Sequence, residues 1–202
     1  MSPLARASAV ESLYPVFLKL AGRRVVLVGG GPVAASKLAG LVDTGACVSV
    51  VAPEIVAQIR RSGATLIERR FVPRDLDGAW LAVAAAPPEV NRSVRSAAEE
   101  RGIFVNAVDD RGSASAYLGG VLRRSGVTIA VSTQGHAPAL AGLLREALEA
   151  IVPEEIGTWV AEARALRDRQ RSTGVPLAAR RPALLRALNR LYASRRHAEA
   201  RR

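Results

Sequence analysis

Three consecutive glycines, Gly29-Gly30-Gly31, follow the β-branched run Arg24-Val-Val-Leu-Val28 and lead into Pro32-Val33-Ala34. Gly29, Gly31 and Ala34 fill the small-residue positions of G-x-G-x-x-G/A, the turn that seats a dinucleotide pyrophosphate at a helix N-terminus. Each position meets a physical demand. Gly29 allows the tight turn, Gly31 lets the backbone approach the phosphates, and Ala34 lets the helix pack closely on the strand. Pro32 falls where a missing N–H costs nothing. The free N–H groups of the first helical turn then face the anion with a partial positive charge. Gly29, Gly30, Gly31, Pro32 and Val33 are therefore the expected dinucleotide contacts. Glycine triplets also make plain turns; the strand before and the helix after are what distinguish this one.

Two carboxylates stand near the places where such a site uses them. Glu54, with Pro53, follows the second β-branched run and lies 25 positions beyond Gly29. A carboxylate there accepts hydrogen bonds from the ribose hydroxyls and repels a 2′-phosphate, which favours NAD over NADP. An acidic residue in the first turn of a helix is also favourable in its own right, so both readings of Glu54 stand. Asp109 follows the run Phe104–Val108, at the edge where ligands of a parallel sheet lie. It reads either as a base facing substrate or as a loop-capping carboxylate beside Asp110. Between these, Ala85-Ala86-Pro87-Pro88 offers little side-chain volume and leaves room for a ligand at Ala85.

The elements that must position these residues follow from the hydrophobic pattern. Strands are expected at Arg24–Val28, Val48–Val51, Thr65–Arg69, Leu81–Ala85 and Phe104–Val108. Helices are expected at Pro32–Asp43, Ile55–Arg61 and Glu89–Glu100, the first turning Val33, Leu38, Leu41 and Val42 to the sheet. Phe71–Asp77 reads as a loop, Leu13–Leu20 as an extended segment and residues 1–12 as a loose leader. Strands and helices alternating at this pace mean a parallel, doubly wound α/β sheet. Beyond Asp109 the rhythm changes. Tyr117–Leu122 and Val127–Ser132 read as strands joined by Arg123-Arg124-Ser125-Gly126. Helices follow at Ala139–Ile151, with Leu140, Leu143, Leu144 and Leu148 on one side, at Glu154–Arg171 and at Pro182–Arg195. Boundaries are placed near Arg111 and Val152.

Composition narrows the function classes. Hydrophobic residues make up 49% and aromatics 4% of 202 residues, so the core must be Ala, Val and Leu packing. The single cysteine, Cys47, excludes an internal disulfide framework and reads as a small core residue of a buried strand. No apolar run approaches the roughly 18 residues of a membrane span, and a cytoplasmic protein is the expectation. Net charge is +11, with 12 arginines against 5 acids in residues 154–202. Nucleic acid is the usual partner of such a balance, but the aromatic poverty and the absence of a recognition motif argue against it. A polyanionic small molecule or a solvated arginine-rich surface fits as well.

Several segments in order resemble one family. Tyr14-Pro-Val-Phe-Leu, Gly22 through Ala34, Lys37, Thr44-Gly-Ala46, Val50-Val-Ala-Pro53, Asn106-Ala-Val-Asp109, Ile129-Ala-Val-Ser-Thr-Gln-Gly-His-Ala-Pro138 and Leu143-Leu-Arg-Glu146 are similar to precorrin-2 dehydrogenases. This is the dehydrogenase, and in some members ferrochelatase, module of siroheme synthase. The resemblance covers Leu13 to Pro153. It implies an N-terminal Rossmann-like parallel sheet (residues 1–111), a small β-containing dimerisation region (112–152) and a C-terminal helical domain (153–202), assembled as a homodimer. It implies NAD-dependent oxidation of precorrin-2 to sirohydrochlorin, with ferrous iron a substrate in those members that go on to siroheme. The family's proposed catalytic aspartate matches Asp109, and Asn106 matches beside it, with a loop-orienting role also open. Ser132 and Thr133 are expected to bind substrate carboxylates, or else to form a strand-end turn. His136 reads as a carboxylate or iron contact, or as a solvated loop histidine. Two histidines and one cysteine give no preformed metal site, so no resident metal is expected. A non-catalytic nucleotide-sensing module is the competing expectation, but it needs neither Asp109 nor the 132–138 loop. The chain departs from the family at Ala86-Pro87-Pro88, where a Thr-Asp-Asp-like stretch is usual. It departs again at Ser115–Gly119, where an aromatic-rich Ser-Phe segment is usual, and at Thr133-Gln134-Gly135, which replaces a glycine-rich turn.

Overall fold

A computed structural model describes residues 13–108 and 110–199. Asp109 and the segment 1–12 lie outside the described residues. The chain divides into two compact units. The first runs to Leu118 and includes Gln134–His136; the second holds Gly119–Thr133 and everything from Ala137 on.

The first unit is a five-stranded sheet. Its strands are β1 (Arg24–Val28), β2 (Cys47–Val51), β3 (Thr65–Ile67), β4 (Leu81–Ala84) and β5 (Phe104–Ala107). All four pairings are parallel, in the order β3-β2-β1-β4-β5. The chain leaves β1 toward β2 and β3, then returns to build β4 and β5 on the other side. The order therefore reverses between β1 and β4, and their carboxyl ends flank the crevice where doubly wound sheets bind ligands.

Burial on both faces explains the near-continuous valine and leucine of the central strands. Val25, Leu27, Val48, Val50 and Val83 pack under α1 (Pro32–Val42) and the short helix α2 (Ala57–Arg60). Val26, Val28, Ala82, Ala84 and Val105 pack under α3 (Pro88–Glu99), whose Ala97 and Ala98 allow a close approach. A 3₁₀ turn, Pro73–Leu76, forms inside the expected loop and inserts Leu76 into this second layer.

Two expectations need correcting here. The sheet-facing side of α1 is Ala34, Ala35, Leu38 and Leu41, whereas Val33 and Val42 are exposed. The expected face was rotated: two alanines lie closest to the sheet, and the valines at either end flank the stripe. Cys47 is exposed, not buried. It is the first residue of β2, opposite Arg24, where the strand is only entering the sheet.

The second unit opens with an antiparallel hairpin, β6 (Gly120–Arg124) and β7 (Val127–Val131). Arg123 and Arg124 belong to the strand, not to the connection. The turn is Ser125-Gly126 alone, with φ of 46° and 85°, the two left-handed residues that a tight twisted hairpin requires. The helix α4 (Pro138–Ile151) crosses β6 so closely that a β-carbon on Gly120 would meet the Ala141 carbonyl oxygen at 2.8 Å. The Arg124 guanidinium donates to the Val152 carbonyl just beyond that helix. The helices α5 (Ile156–Ser172) and α6 (Leu177–Glu199) follow, with Gln170 and Ala187 buried. The last helix begins five residues before the expected Pro182. Leu177 to Arg181 are good helix formers, and a proline inside a helix forfeits one backbone bond without preventing the turns on either side.

Candidate functional site

The glycine turn and the two loops beside it form one constellation at the carboxyl edge of the sheet. Gly29 has φ of +130°, and a β-carbon there would stand 2.2 Å from the Ala85 carbonyl oxygen. Glycine is thus demanded twice at this position, by conformation and by space. Gly30 is crowded from the other side: its β-carbon would meet the Glu54 carbonyl oxygen at 1.8 Å and the Ala52 β-carbon at 2.9 Å. The Gly30 carbonyl accepts from the Val56 N–H at 2.9 Å, and the Gly29 N–H donates to the Val51 carbonyl at 3.0 Å. The loop after β2, the glycine turn and the loop after β4 are therefore packed as one body.

Gly31 is different. A β-carbon there would meet nothing within 4 Å. It is the N-cap of α1, it makes no side-chain cap, and Pro32 follows at the first helical position. The open space thus lies in front of a helix N-terminus whose donors no side chain satisfies, the arrangement that receives an anion. Val33 is half-exposed in that first turn, and Ala34 is fully buried against the sheet. Pro53 and Glu54 are exposed on the neighbouring loop, so the Glu54 carboxylate is open to a ligand while its carbonyl braces Gly30.

Two residues that the sequence reading did not single out shape this edge. Asn91 is 3% exposed, and its Oδ1 accepts from the Ala86 N–H at 3.1 Å, tying the loop after β4 to the first turns of α3. Its sign in the sequence is an asparagine on the stripe shared with Val94 and Ala98. Ser115 closes the loop after β5: its Oγ accepts from the Val105 N–H at 2.9 Å, while its own N–H and that of Ala116 donate to the Val105 carbonyl. Asn106, 7% exposed, donates from Nδ2 to the Ala116 carbonyl at 2.9 Å. The structure thus gives Asn106 a loop-orienting contact. These contacts flank Asp109 in sequence, and a 3₁₀ turn, Arg111–Ser113, lies between it and Ser115 in the chain.

The remaining expected residues lie around the 132–138 turn. Ser132 is exposed at the end of β7. The Thr133 hydroxyl oxygen accepts from the Ala137 N–H at 3.2 Å, at the start of α4. Gln134 and Gly135 have φ of 56° and 71°. A left-handed glutamine is unusual, and it stands where the turn would more readily take glycine. His136 is exposed and is grouped with the first unit. Among the described residues, no three His, Cys, Asp or Glu side chains are arranged to hold a metal ion. Nor is any helix long and apolar enough to cross a membrane.

Beyond this edge, Asp75 is 5% exposed and takes a bidentate pair of hydrogen bonds from Arg69 at 2.6 and 2.8 Å. The Arg69 hydrogen bonds hold its carboxyl below the usual carboxylate range against the opposing effect of burial, and the Val72 N–H adds to them. This pair fixes the 3₁₀ turn over the sheet and is remote in role from the glycine cradle.

A family model described as "Putative NAD(P)-binding" matches residues 16–120. Siroheme synthase 3 of Aeromonas hydrophila is 40% identical over 172 residues, covering 83% of this chain and 37% of that protein. Siroheme synthase of Photorhabdus laumondii is 40% identical over 184 residues, covering 89% of this chain and 39% of that protein. The chain thus spans less than two fifths of the length of these relatives. Among solved structures, one titled "SirC, precorrin-2 dehydrogenase" superposes with a TM-score of 0.67 at 24% identity, covering 86% of this chain and 88% of that one. The likeness extends the shared fold across both units.

Proposed function

This chain belongs to the NAD(P)-binding family whose model it matches, and we propose that it oxidises precorrin-2 to sirohydrochlorin with NAD as the acceptor. The observation that carries the reading is the 40% identity to siroheme synthases across 83–89% of the chain. The cradle supports it. Gly29 and Gly30 bring three loops together, Gly31 opens space before the N-terminus of α1, and Glu54 offers a carboxylate where the adenosine ribose of NAD would lie.

The residues present fit a dinucleotide. Gly31, Pro32 and Val33 would hold the pyrophosphate through the helix N-terminus, with Pro53 and Glu54 beside the ribose and Ala85 beside the nicotinamide. NAD, when bound, supplies a hydride acceptor. Removing a hydride and a ring proton together oxidises the macrocycle by two electrons, so a base is needed as well. We assign that role to Asp109, which lies in sequence between Asn106 and Ser115. Ser132, Thr133 and His136 are assigned to the substrate's carboxylates. The same carboxylate at Asp109 would take pyrrole protons if ferrous iron is a second substrate, an activity to be assayed separately with sirohydrochlorin.

We also read the chain as a homodimer, in the division 1–111, 112–152 and 153–202. A two-stranded sheet is marginal alone, and among the described residues β6 and β7 pair only with each other. On α4, Leu140, Leu143, Leu144 and Ile151 are 43–74% exposed. A second copy would cover both. A cytoplasmic setting, which supplies NAD, completes the reading.

The test is direct. Purified protein, precorrin-2 and NAD should give a rise in NADH absorbance that depends on all three. A folded, NAD-binding sample that gives no rise with fresh precorrin-2 overturns the assignment.

A further inference from the structure

We propose that the notch beside the first two residues of β2, at the amino edge of the sheet, is a binding site for a small organic acid. It lies at the opposite end of the strands from the glycine turn and stands independently of the cofactor reading.

The notch follows from the unequal lengths of two neighbouring strands. β2 has five residues and β3 three, and their pairing begins only at Ser49 and Thr65. The Cys47 N–H donates toward β1, to the Arg23 carbonyl at 2.9 Å. Alternation along the strand then turns the Val48 N–H the other way, toward β3. On that side the ladder ends with the Ala52 N–H on the Ile67 carbonyl at 3.2 Å. Continued back to Val48, it would need the carbonyl of Gly63, but Gly63, with φ of 77°, turns the chain out of the strand. Among the described residues the Val48 N–H therefore meets no partner, although Val48 is only 5% exposed.

The space left by the missing pairs is a cavity of about 440 Å³. Its polar side chains can all donate, and none is acidic. Ser49 is 6% exposed, and its hydroxyl makes no hydrogen bond among the described residues. Thr65, its register partner, adds a second hydroxyl from the same face. Arg24, the register partner of Cys47, adds a guanidinium. That group gives Nη2 to the Asp75 carbonyl at 3.0 Å, while its buried Nε has no partner. Nor does it have a carboxylate of its own, because that of Asp75 takes both its bonds from Arg69 at 2.6 and 2.8 Å. Buried donors left unpaired are costly, and a guanidinium beside hydroxyl and N–H donors suits the two oxygens of a carboxylate. Val42 and Val48 supply an apolar wall. The volume falls in the range of small-ligand sites, about 300–1,000 Å³, and exceeds what an inorganic ion fills. The occupant is therefore a carboxylate carrying a short aliphatic body.

Cys47 lines the same cavity, is exposed and is the single cysteine of the chain, so it reports occupancy without any turnover. The probes are butyrate, n-butylammonium and inorganic phosphate at matched ionic strength, with alkylation of the full chain by neutral iodoacetamide followed by mass spectrometry. Saturating butyrate should slow alkylation at least about fivefold, since the bound form withdraws the accessible thiol by mass action. Butylammonium should leave the rate unchanged, and phosphate should protect less than butyrate. The Val48 amide proton should move downfield as butyrate is added. Arg24→Met should weaken butyrate binding about tenfold, the worth of a hydrogen bond to a charged group, and Ser49→Ala about threefold. Equal protection by butyrate and butylammonium, phosphate protecting as well as butyrate, or no protection at all overturns the proposal. If Arg24→Met fails to fold, Ser49→Ala decides, and undiminished protection there overturns it as well.

Discussion

The Gly30 α-carbon lies against the Glu54 carbonyl so closely that a β-carbon would stand 1.8 Å from its oxygen. The residue in the middle of the glycine triplet is thus the most crowded of the three, and it sets where the loop bearing Glu54 can sit. Gly30→Ala should force the 52–56 loop outward, breaking the Val56 N–H bond to the Gly30 carbonyl. A cost of about 2 kcal/mol in stability is expected from overpacking. Thermal melting checks it, together with NAD affinity, which should fall further than the loss of folded protein accounts for. Gly31→Ala, with open space around it, should fold normally and lose affinity alone.

Glu54 is exposed, so its substitution isolates the ligand effect from the packing effect. Glu54→Ala should weaken NAD binding by about tenfold, the worth of a charge-assisted hydrogen bond, while relieving repulsion of a 2′-phosphate. The ratio of NAD to NADP affinity should therefore narrow. A ratio unchanged by the substitution would remove Glu54 from the ribose site; it stands before Val56, the N-cap of α2, and is not in the first turn of that helix.

Much of this edge is legible in the sequence, and the reasons it stops are physical. The five strands and their parallel sense follow from short apolar runs alternating with helical periodicity, because burial on both faces leaves few other residues for the strands; the order in the sheet comes from the structure. The glycine turn is legible because no other residue tolerates Gly29's backbone and neighbours. What pattern cannot show is which backbone groups are already spent. Asn106 reads equally as a substrate ligand or a loop anchor until its Nδ2 is seen on the Ala116 carbonyl. Gly30 reads as a dinucleotide contact like its neighbours until the Glu54 carbonyl is found against it. Cys47 reads as core because β2 is buried, but the first residue of a strand has not yet entered the sheet.

The contacts of Asn106 and Ser115, which flank Asp109 in sequence, separate two roles by experiment. Asp109→Ala should lower turnover far more than it lowers NAD affinity; a general base contributes about a hundredfold or more. Ser115→Ala removes the acceptor of the Val105 N–H on a residue only 1% exposed. That should cost about 1–2 kcal/mol in stability. It should also reduce kcat with KM for NAD nearly unchanged, because the loop and not the cradle loosens. Unchanged turnover in Asp109→Ala would remove that residue from the reaction.

Asp75 makes acid stability predictable in sign. Its folded carboxyl is held below the ordinary range, chiefly by the Arg69 hydrogen bonds. A depressed carboxyl stabilises the fold fully above the unfolded value, about pH 4, and loses that contribution as pH falls through the folded value. Asp75→Asn should therefore destabilise by about 2 kcal/mol near neutral pH, a figure kept modest because Arg69 is half in solvent. The difference between the two proteins should shrink below pH 4 and vanish in stronger acid. Denaturant titrations at several pH values measure it, and a difference that stays constant with pH would mean that packing, not charge, holds the turn.

The leucines of α4 give the last prediction. Leu143 is 63% exposed and Leu140 48%, while the residue of that helix buried within the unit is Ala141. Burying a leucine is worth about 1.5–3 kcal/mol, so a stripe of them left in water is a large unrealised stabilisation. The hairpin beside them is similarly unextended, since among the described residues its two strands pair only with each other. A second copy laid across this region would bury both features at once. Sedimentation should accordingly give a mass near twice the 21.3 kDa of one chain. Leu143→Asp should shift the protein toward monomer and lower its melting temperature in a concentration-dependent way. An unaltered chain that sediments as a monomer at micromolar concentration would leave the stripe to a different partner.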